Sequence, residues 1–322
     1  MEQSVKAFER FLFLLKILNS APNSCMSISE LCTTCGFSKD EFCQTIKAAD
    51  TLSPGLVSIN NNVCKLNRVV DFLDANCIYR KAQGHGRVEV IPCLDSTNTV
   101  MLSKAKDLAC GDTLFAEIQT AGRGRRGGRW NAGIGANITV SVAWRFYDIH
   151  KVEGLSCAVG LCTCKALQNY TDKAITVKWP NDIYLGKGKL GGILIEFRNI
   201  GKSVVAVIGL GVNVCGVDTG EENGYQRAYL VDEFKENLRN EVAIALVNAI
   251  RNCCLHFEQE GLEPLLEDYA KYDRLSGHFV RIADGNRMYE GKVLGIDPVG
   301  KLLLDNGGEL LSIAAGHVES ID

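Results

Sequence analysis

The chain has 322 residues, 46% of them hydrophobic and 23% charged, with 35 Lys and Arg against 38 Asp and Glu. Roughly 150 residues make a domain, so this length carries about two domains and a small third, and it can bury a core without a disulfide or metal staple. The charge balance, 35 − 38 = −3, gives no global pull toward nucleic acid or an anionic membrane, so a basic function has to be local. Composition is ordinary, which excludes collagenous, coiled-coil and disordered classes. No apolar run reaches the ~20 residues of a membrane span. Phe11–Leu15 is cut by Lys16, and no small-residue cleavage site follows the N-terminus. The expectation is a cytoplasmic protein with no membrane partner.

In chain order, Phe8, Phe11, Leu12, Leu15 and Leu18 fall at helical spacing over residues 4–19. Ser27-x-x-Glu30 and Ser38-x-x-Glu41 are capping boxes that open helices to about Thr34 and Asp50, with Gly36 as the turn between them. Pro54-Gly55 precedes two short strands, Leu56–Ile59 and Val63–Leu66, joined at Asn60-Asn61-Asn62. Helix, helix-turn-helix, hairpin is the order of a winged helix-turn-helix domain, assigned to residues 1–70. Those residues hold seven basic and six acidic side chains, 7 − 6 = +1. Phosphate binding needs clustered Lys and Arg. Operator binding and a plain docking role therefore both stay open.

Residues 71–84 form a connector. From Val88 the texture is α/β: strands at Val88–Ile91, Leu114–Ile118, Asn137–Trp144, Ile175–Trp179, Lys189–Glu196 and Val204–Val214. Helices fall at about Thr97–Leu108, Leu155–Tyr170, Leu238–Gln259 and Pro264–Tyr272. This pattern predicts an α/β domain, 85–273, with a mixed or antiparallel sheet. Residues 274–322 give four short strands (Phe279–Ile282, Met288–Ile296, Lys301–Leu304, Leu310–Ala315) parted by Asp284-Gly285-Asn286, Asp297–Gly300 and Asn306-Gly307-Gly308. That pattern predicts a small all-β barrel. The whole is an α+β, multidomain chain.

Gly122-Arg123-Gly124-Arg125-Arg126-Gly127-Gly128-Arg129-Trp130 has four arginines, four glycines and no acid. Glycine costs a helix about 1 kcal/mol per residue, so the segment is a loop. Its arginines repel one another unless an anion neutralises them, which predicts a mobile loop that orders around phosphate or carboxylate. Lys178 ends an apolar strand before the turn Trp179-Pro180-Asn181-Asp182, and Lys189 opens the next strand. Two lysines facing an arginine loop make an anion pocket. Asp95-Ser96-Thr97-Asn98 reads alone as a helix N-cap. Gly209-Leu210-Gly211-Val212-Asn213 ends another strand, where the glycines would admit a ligand closely.

In this order and spacing these segments resemble the biotin protein ligases, biotin–[acetyl-CoA-carboxylase] ligases. The resemblance covers residues 85–322, and Phe257–Leu262 before the last domain fits it. The N-terminal domain resembles the winged-helix repressor domain of the bifunctional members in outline. The resemblance implies a class II aminoacyl-tRNA-synthetase-like catalytic fold shared with lipoate ligases. It implies two steps: biotin and ATP with Mg²⁺ give biotinyl-5′-AMP, then a lysine of a biotin carboxyl carrier protein takes the biotin. By the same resemblance Lys178, Arg123 and Arg125 are catalytic. Ser96, Thr97, Asn98, Gln119, Thr120, Gly124, Arg125, Arg126 and Lys178 bind biotin. Arg123, Trp130, Asn181, Lys189 and Asn213 lie at the nucleotide. No metal ligand is assigned. A DNA operator, transcription regulation and a homodimer complete what is implied.

Gly128 stands where the family carries a basic residue, and no tryptophan in 215–230 is available to stack on adenine, leaving Tyr225 and Tyr229. Competing readings are a lipoate–protein ligase and a transcription regulator that senses biotinyl-AMP. The chemistry of in-line displacement at phosphorus asks for placed positive charge and no protein nucleophile. Of the 14 cysteines, Cys32-x-x-Cys35 has metal-like spacing but no second pair at zinc-site distance. They are read as reduced, small core residues.

Overall fold

The computed structural model describes residues 2–148, 152–216, 226–285 and 287–322. Two of the positions named above, Tyr225 and Asn286, lie outside the described residues.

The chain opens with helix α1 (Glu2–Ser20), strand β1 (Cys25–Ser27), helices α2 (Ile28–Cys35) and α3 (Lys39–Asp50), and strands β2 (Val57–Asn60) and β3 (Val63–Leu66). Both capping boxes form. Ser27 and Ser38 each accept from the backbone N–H three residues on, and Glu30 and Glu41 reach back. Gly36 closes α2 at φ 70°, a left-handed position that a side chain would strain. The apolar stripe of α1 is buried as its spacing predicts, Phe8, Phe11, Leu12, Leu15 and Leu18 packing with Leu31, Phe42 and Leu56. Strand β1 was not expected. It pairs with β3 and makes a three-stranded sheet in the order β1-β3-β2.

This unit is fused to the next. Its core runs into Cys93, Ile118 and Ile134. Ile134 donates its N–H to Ser53 Oγ at 2.8 Å and accepts from Arg68 at 2.6 Å. A Cβ on Gly135, whose φ is +66°, would lie 2.5 Å from Val70 Cγ1.

After helix α4 (Ala75–Lys81) come β4 (Val88–Leu94), α5 (Thr97–Ser103), β5 (Thr113–Gln119), β6 (Asn137–Phe146), α6 (Leu155–Leu167), β7 (Ile175–Lys178), β8 (Asp182–Leu185), β9 (Gly188–Ile200) and β10 (Ser203–Asn213). Helices α7 (Leu238–Glu260) and α8 (Leu266–Tyr272) follow. The seven strands form one sheet in the order β4-β5-β6-β10-β9-β8-β7. Only β4 and β5 run parallel; every other neighbouring pair is antiparallel. Successive strand residues face opposite sides. In β10, Val204, Ala206, Ile208 and Leu210 join the core with α6 and α7, while Val205 and Val207 join Met101 and Ala105 around α5. The sheet is therefore covered on both faces. Helix α5 is shorter than its apolar pattern implies, breaking into a 3₁₀ turn at Ala105–Asp107. Strand β8, read from sequence as part of a turn, is a hairpin partner of β7 that places Lys178 opposite Asp182.

The C-terminal unit has β11 (Phe279–Asp284), β12 (Arg287–Ile296), β13 (Leu302–Asn306), β14 (Glu309–Ile313) and β15 (His317–Ile321). They form an antiparallel sheet in the order β14-β13-β12-β11-β15. Strand β15 is additional to the four read from the pattern. No ladder joins β14 to β15 among the described residues. All fourteen cysteines are free thiols. Eight are buried; Cys25, Cys35, Cys77, Cys110 and Cys162 are half-buried and Cys43 is exposed, so the core reading covers only part of the set.

Candidate active site

A cavity of about 630 Å³ opens at the strand ends, between the arginine loop, the turn after β7 and strand β15. Its floor is neutral and polar. Gln119 Oε1 accepts from the Thr97 N–H at 2.8 Å and from the Thr97 hydroxyl at 3.2 Å. Asn98 Oδ1 accepts from Ser141 Oγ at 2.6 Å. Ser96 is the α5 N-cap residue, yet its side chain makes no capping bond. The cap is delegated to Gln119, and Ser96 lines the cavity. Ser141 is fully buried beneath this floor and also lies 2.7 Å from Thr97 Oγ1. Sequence reasoning missed it, because its place is set by β6 and not by any local motif.

The arginine loop is tied by backbone hydrogen bonds of its own. Gly124 N–H donates to the Gly128 carbonyl at 2.7 Å, Gly128 N–H to that of Arg125 at 2.9 Å, and Trp130 N–H to that of Gly122 at 3.0 Å. Arg123 and Arg129 form a bridge, and Arg126 sits at φ 53° in the turn. The loop is thus a small closed hairpin. Glycine serves it by close packing: a Cβ on Gly122 would fall 2.3 Å from the Trp130 carbonyl oxygen. Gly128 has its would-be Cβ 3.1 Å from the Arg125 carbonyl, so a larger residue is also crowded there.

Most of the cations in the cavity wall are held by specific partners. Arg125 donates to Asn181 Oδ1 at 2.9 Å, which ties the loop to the turn across the cleft. Asn181 is fixed in turn by its own bond to the Ile193 carbonyl at 2.8 Å. Lys189 pairs with Asp182 at 2.8 Å, and Arg126 lies 4.0 Å from Asp284 of the C-terminal sheet. Arg123 is gripped by Glu196, with Nη1 and Nη2 at 3.0 and 2.6 Å from its two oxygens. Lys178 Nζ sits 3.5 Å from the Val318 carbonyl and 5.8 Å from the centre of the Tyr184 ring. Burial pushes the Lys178 ammonium below the usual lysine value, Asp182 opposes this, and the charges of Arg274 and Lys189 add to it. Arg125 is lowered first by burial and then by Arg126. Burying like charges together is costly unless an anion shares the space, so the wall is built for one.

Two expected contact residues lie outside the cavity wall. The Thr120 N–H and hydroxyl both go to the Leu94 carbonyl, at 2.9 and 3.3 Å, tying β5 to β4. Asn213 is buried and fully bonded: it accepts from Asn137 at 2.6 Å and donates to the carbonyls of Lys189 and Ala228 at 3.3 and 3.1 Å. The glycines before it serve packing too. A Cβ on Gly209 would lie 2.3 Å from Asn98 Oδ1, and one on Gly211 2.3 Å from Trp130 Cε2. They admit the side chains that build the site. Trp130 is held flat against Gly211 with its indole N–H buried and unpartnered. Ser96, Thr97, Asn98, Gln119, Arg123, Gly124, Arg125, Arg126, Trp130, Lys178, Asn181 and Lys189 all line the one cavity. Strand β15 adds His317 and Glu319, which no motif marked.

A mixed sheet with a cationic cleft at its strand ends, flanked by a glycine-arginine hairpin, is the arrangement of a ligase of the biotin/lipoate type. Residues 90–213 match the model of the biotin/lipoate A/B protein ligase family. The chain is 36% identical over 252 residues to the bifunctional ligase/repressor BirA of Escherichia coli (strain K12), covering 77% of this chain and 78% of that protein. It is 33% identical over 245 residues to a biotin–[acetyl-CoA-carboxylase] ligase of Mycobacterium tuberculosis, covering 73% and 89%. The fold is similar to that of a biotin protein ligase from Aquifex aeolicus in complex with biotin and ATP, with TM-score 0.61, 21% identity, and 73% of this chain and 98% of that one covered. The chain belongs to the biotin protein ligases of this family.

The junction of α8 with the C-terminal sheet carries a separate titrating group. Asp273 is mostly buried; its Oδ1 accepts from Leu275 N–H at 2.9 Å and its Oδ2 is buried without a partner. Burial raises its carboxyl from 3.8 to about 6. The folded state therefore favours the protonated acid. Ionisation charges the fold a penalty that is absent at pH 3, grows as pH rises from about 4 to 6, and is fully present at pH 7. That penalty has a ceiling of about 3 kcal/mol. Asp273→Asn keeps the Oδ1 acceptor and removes the charge. We expect it to raise the unfolding midpoint at pH 7 and to leave it nearly unchanged at pH 4. Equal shifts at both pH values would show that the carboxylate is not destabilising.

Proposed function

We propose that this chain is an ATP-dependent biotin protein ligase. One observation carries the reading: a single cavity has a neutral polar floor at Thr97, Asn98 and Gln119 and a wall of Arg123, Arg125, Lys178 and Lys189. A neutral ureido head with an anionic tail fits the floor and the near wall, and nucleotide phosphates fit the remaining cations. Gln119, Asn98 and Thr97 hold the head, with Ser96, Gly124 and Arg126 around it. Lys178 and Arg123 bring the carboxylate to the α-phosphate. Asn181, Lys189 and Trp130 border the nucleotide.

A carboxylate oxygen bonds to the α-phosphorus as the bond to the bridging oxygen breaks and pyrophosphate leaves. The site's part is to place the two anions in line and to stabilise charge on the phosphate oxygens. The ε-amine of a carrier lysine then bonds to the acyl carbon, AMP leaves and the amine gives up a proton. The carrier is a biotin carboxyl carrier protein of an acetyl-CoA carboxylase. Among the described residues no group of three His, Cys, Asp or Glu side chains could hold a metal. Asp182 is engaged by Lys189. The donor set therefore fits Mg²⁺ only as a partner of the nucleotide phosphates, whose charge it neutralises when bound.

Biotin-dependent ATP–pyrophosphate exchange tests the reading, and exchange with lipoate in place of biotin would refute it. The bond from Arg125 to Asn181 is the latch across the cleft, and it keeps the adenylate from water and bystander amines. We expect Arg125→Gly to release free biotinyl-AMP about 10- to 100-fold faster, the worth of one charged hydrogen bond. Labelling of an added non-carrier protein measures it. Labelling confined to the carrier would remove the latch role.

The N-terminal unit is assigned as a winged helix-turn-helix and the C-terminal sheet as a small barrel. Helix α3 exposes Lys39, Gln44 and Lys47 beside Asp40 and Asp50, so a second role as a biotin-responsive operator-binding repressor is supported by the likeness to the bifunctional ligase/repressor BirA. Operator affinity that falls steeply with salt would support it. Self-association through a sheet edge belongs to the same proposal, and sedimentation reads it. No helix among the described residues is long and apolar enough to cross a membrane.

A further inference from the structure

Glu196 was marked by no motif, yet it is bonded to two of the cavity's principal side chains. Strand β9 alternates faces, so Gly192, Leu194 and Glu196 share one side. Gly192 and Leu194 line the cavity, and Glu196 follows two residues on, bonded to Asn98 and Arg123, which also line it. Its two oxygens take the paired Nη edge of Arg123 at 3.0 and 2.6 Å. Its Oε2 also accepts from Asn98 Nδ2 at 2.8 Å, while the same amide donates to the Leu194 carbonyl at 3.0 Å. Asn98 is locked from the other side by Ser141 and by the glycine at 209. The carboxylate is therefore aimed by a rigid floor and not by chance.

A guanidinium offers a carboxylate or phosphate its strongest recognition through paired, parallel N–H donors. Glu196 occupies that edge, and it has the chemistry of the group Arg123 is expected to bind. We propose that Glu196 is a positioning residue for the first step: an internal carboxylate that holds Arg123 in register with Asn98 and yields its paired edge to the incoming substrate anion. The proposal rests on the reading of this cavity as the site of biotin activation. It gives Glu196 two consequences. Arg123 is kept neutralised and placed before substrate arrives. Stray anions are disfavoured, because each must displace a tethered competitor that the correct substrate displaces with help from the floor and Lys178.

The test is direct titration of the full chain with inorganic sulfate by calorimetry, beside biotin-dependent exchange. Glu196→Gln keeps the shape and the bond from Asn98 but gives up the charge. Sulfate is expected to bind it about threefold to fivefold more tightly than it binds the parent chain, the size of one half-exposed competing ion pair. Adding Arg123→Ala should cancel that gain. A purely structural Glu196 would give the opposite, a looser site and weaker sulfate binding. Unchanged or weakened sulfate binding in Glu196→Gln overturns the proposal, as does a gain that persists without Arg123. If that variant does not fold, Glu196→Asp draws the carboxylate back by one methylene and carries the same two outcomes. Sulfate binding is read without turnover. A parent chain that fails to exchange with biotin would refute the functional reading while leaving the Glu196 result separately legible.

Discussion

Replacing Lys178 by alanine is expected to lower biotin-dependent ATP–pyrophosphate exchange by about 10²- to 10³-fold, the usual loss when one pre-placed charge is taken from a developing oxyanion. The lysine ends β7, where its partner across the hairpin is Asp182 and its ammonium lies beside the Val318 carbonyl. It is half-buried, and that burial lowers its pKa below the ordinary 10.5. A cation held against this cost is one that a bound anion must repay. The fold depends little on it, since its hydrogen bond to the Val318 carbonyl is long, at 3.5 Å, and its ammonium lies 5.8 Å from the centre of the Tyr184 ring. The unfolding midpoint of Lys178→Ala should stay at the parent value or rise. The pH dependence has a definite sign: the charged amine is present below its pKa, so exchange should decline as pH rises through a value under 10.5. Near-normal exchange by Lys178→Ala would remove the residue from the chemistry.

The parts of this molecule that were legible in the sequence are those whose chemistry is local. Capping boxes at Ser27 and Ser38 declare themselves within four residues, because the side chain bonds to its own helix. The glycine-arginine segment and the Lys178–Asp182 turn announce an anion site by composition alone, and the fold brings them to one cavity. What stayed hidden depends on contacts between distant strands. Ser141, Glu196 and strand β15 reach the site from β6, β9 and the C-terminal sheet, and nothing near them in sequence distinguishes them. The Gly209 and Gly211 pair was legible as a close-approach signal but not in its object. The groups that approach are Asn98 and Trp130, which the structure seats on those glycines. Thr120 and Asn213 illustrate the converse. Each neighbours a recognisable motif, but its polar atoms are consumed by backbone carbonyls and, for Asn213, also by the Asn137 amide, bonds that hold strands together. The loop's closure was also invisible to composition, because it comes from three backbone hydrogen bonds that any sequence with those glycines could offer.

The largest effect on stability is expected from Arg239→Met. Arg239 opens α7, and its guanidinium is paired with Glu117 at 2.9 Å, the two side chains only 3% and 5% exposed. The same guanidinium donates to the Asn137 carbonyl at 3.1 Å and to the carbonyl of Asp71, whose carboxylate accepts the Arg239 N–H at 2.7 Å. Glu117 accepts from the Leu73 N–H at 2.7 Å with its other oxygen. One buried pair thus fastens the 71–74 connector, the first turn of α7 and strand β5 to one another. Methionine fills the volume but strands a buried carboxylate, which costs about 3–5 kcal/mol. Adding Glu117→Gln removes that charge while leaving an acceptor for Leu73, and should restore about half of the loss. Trp130, Trp144 and Trp179 are the three tryptophans of the chain, and all lie between β5 and β8 of the large sheet. Urea unfolding followed by their fluorescence reports on the large sheet and, through the bond from the Trp179 indole N–H to the Gly300 carbonyl, on its junction with the C-terminal sheet. A loss below about 1 kcal/mol in the single variant would match an exposed pair and not a buried one. A double variant no more stable than the single would show that the cost comes from the lost connector bonds and not from the stranded charge.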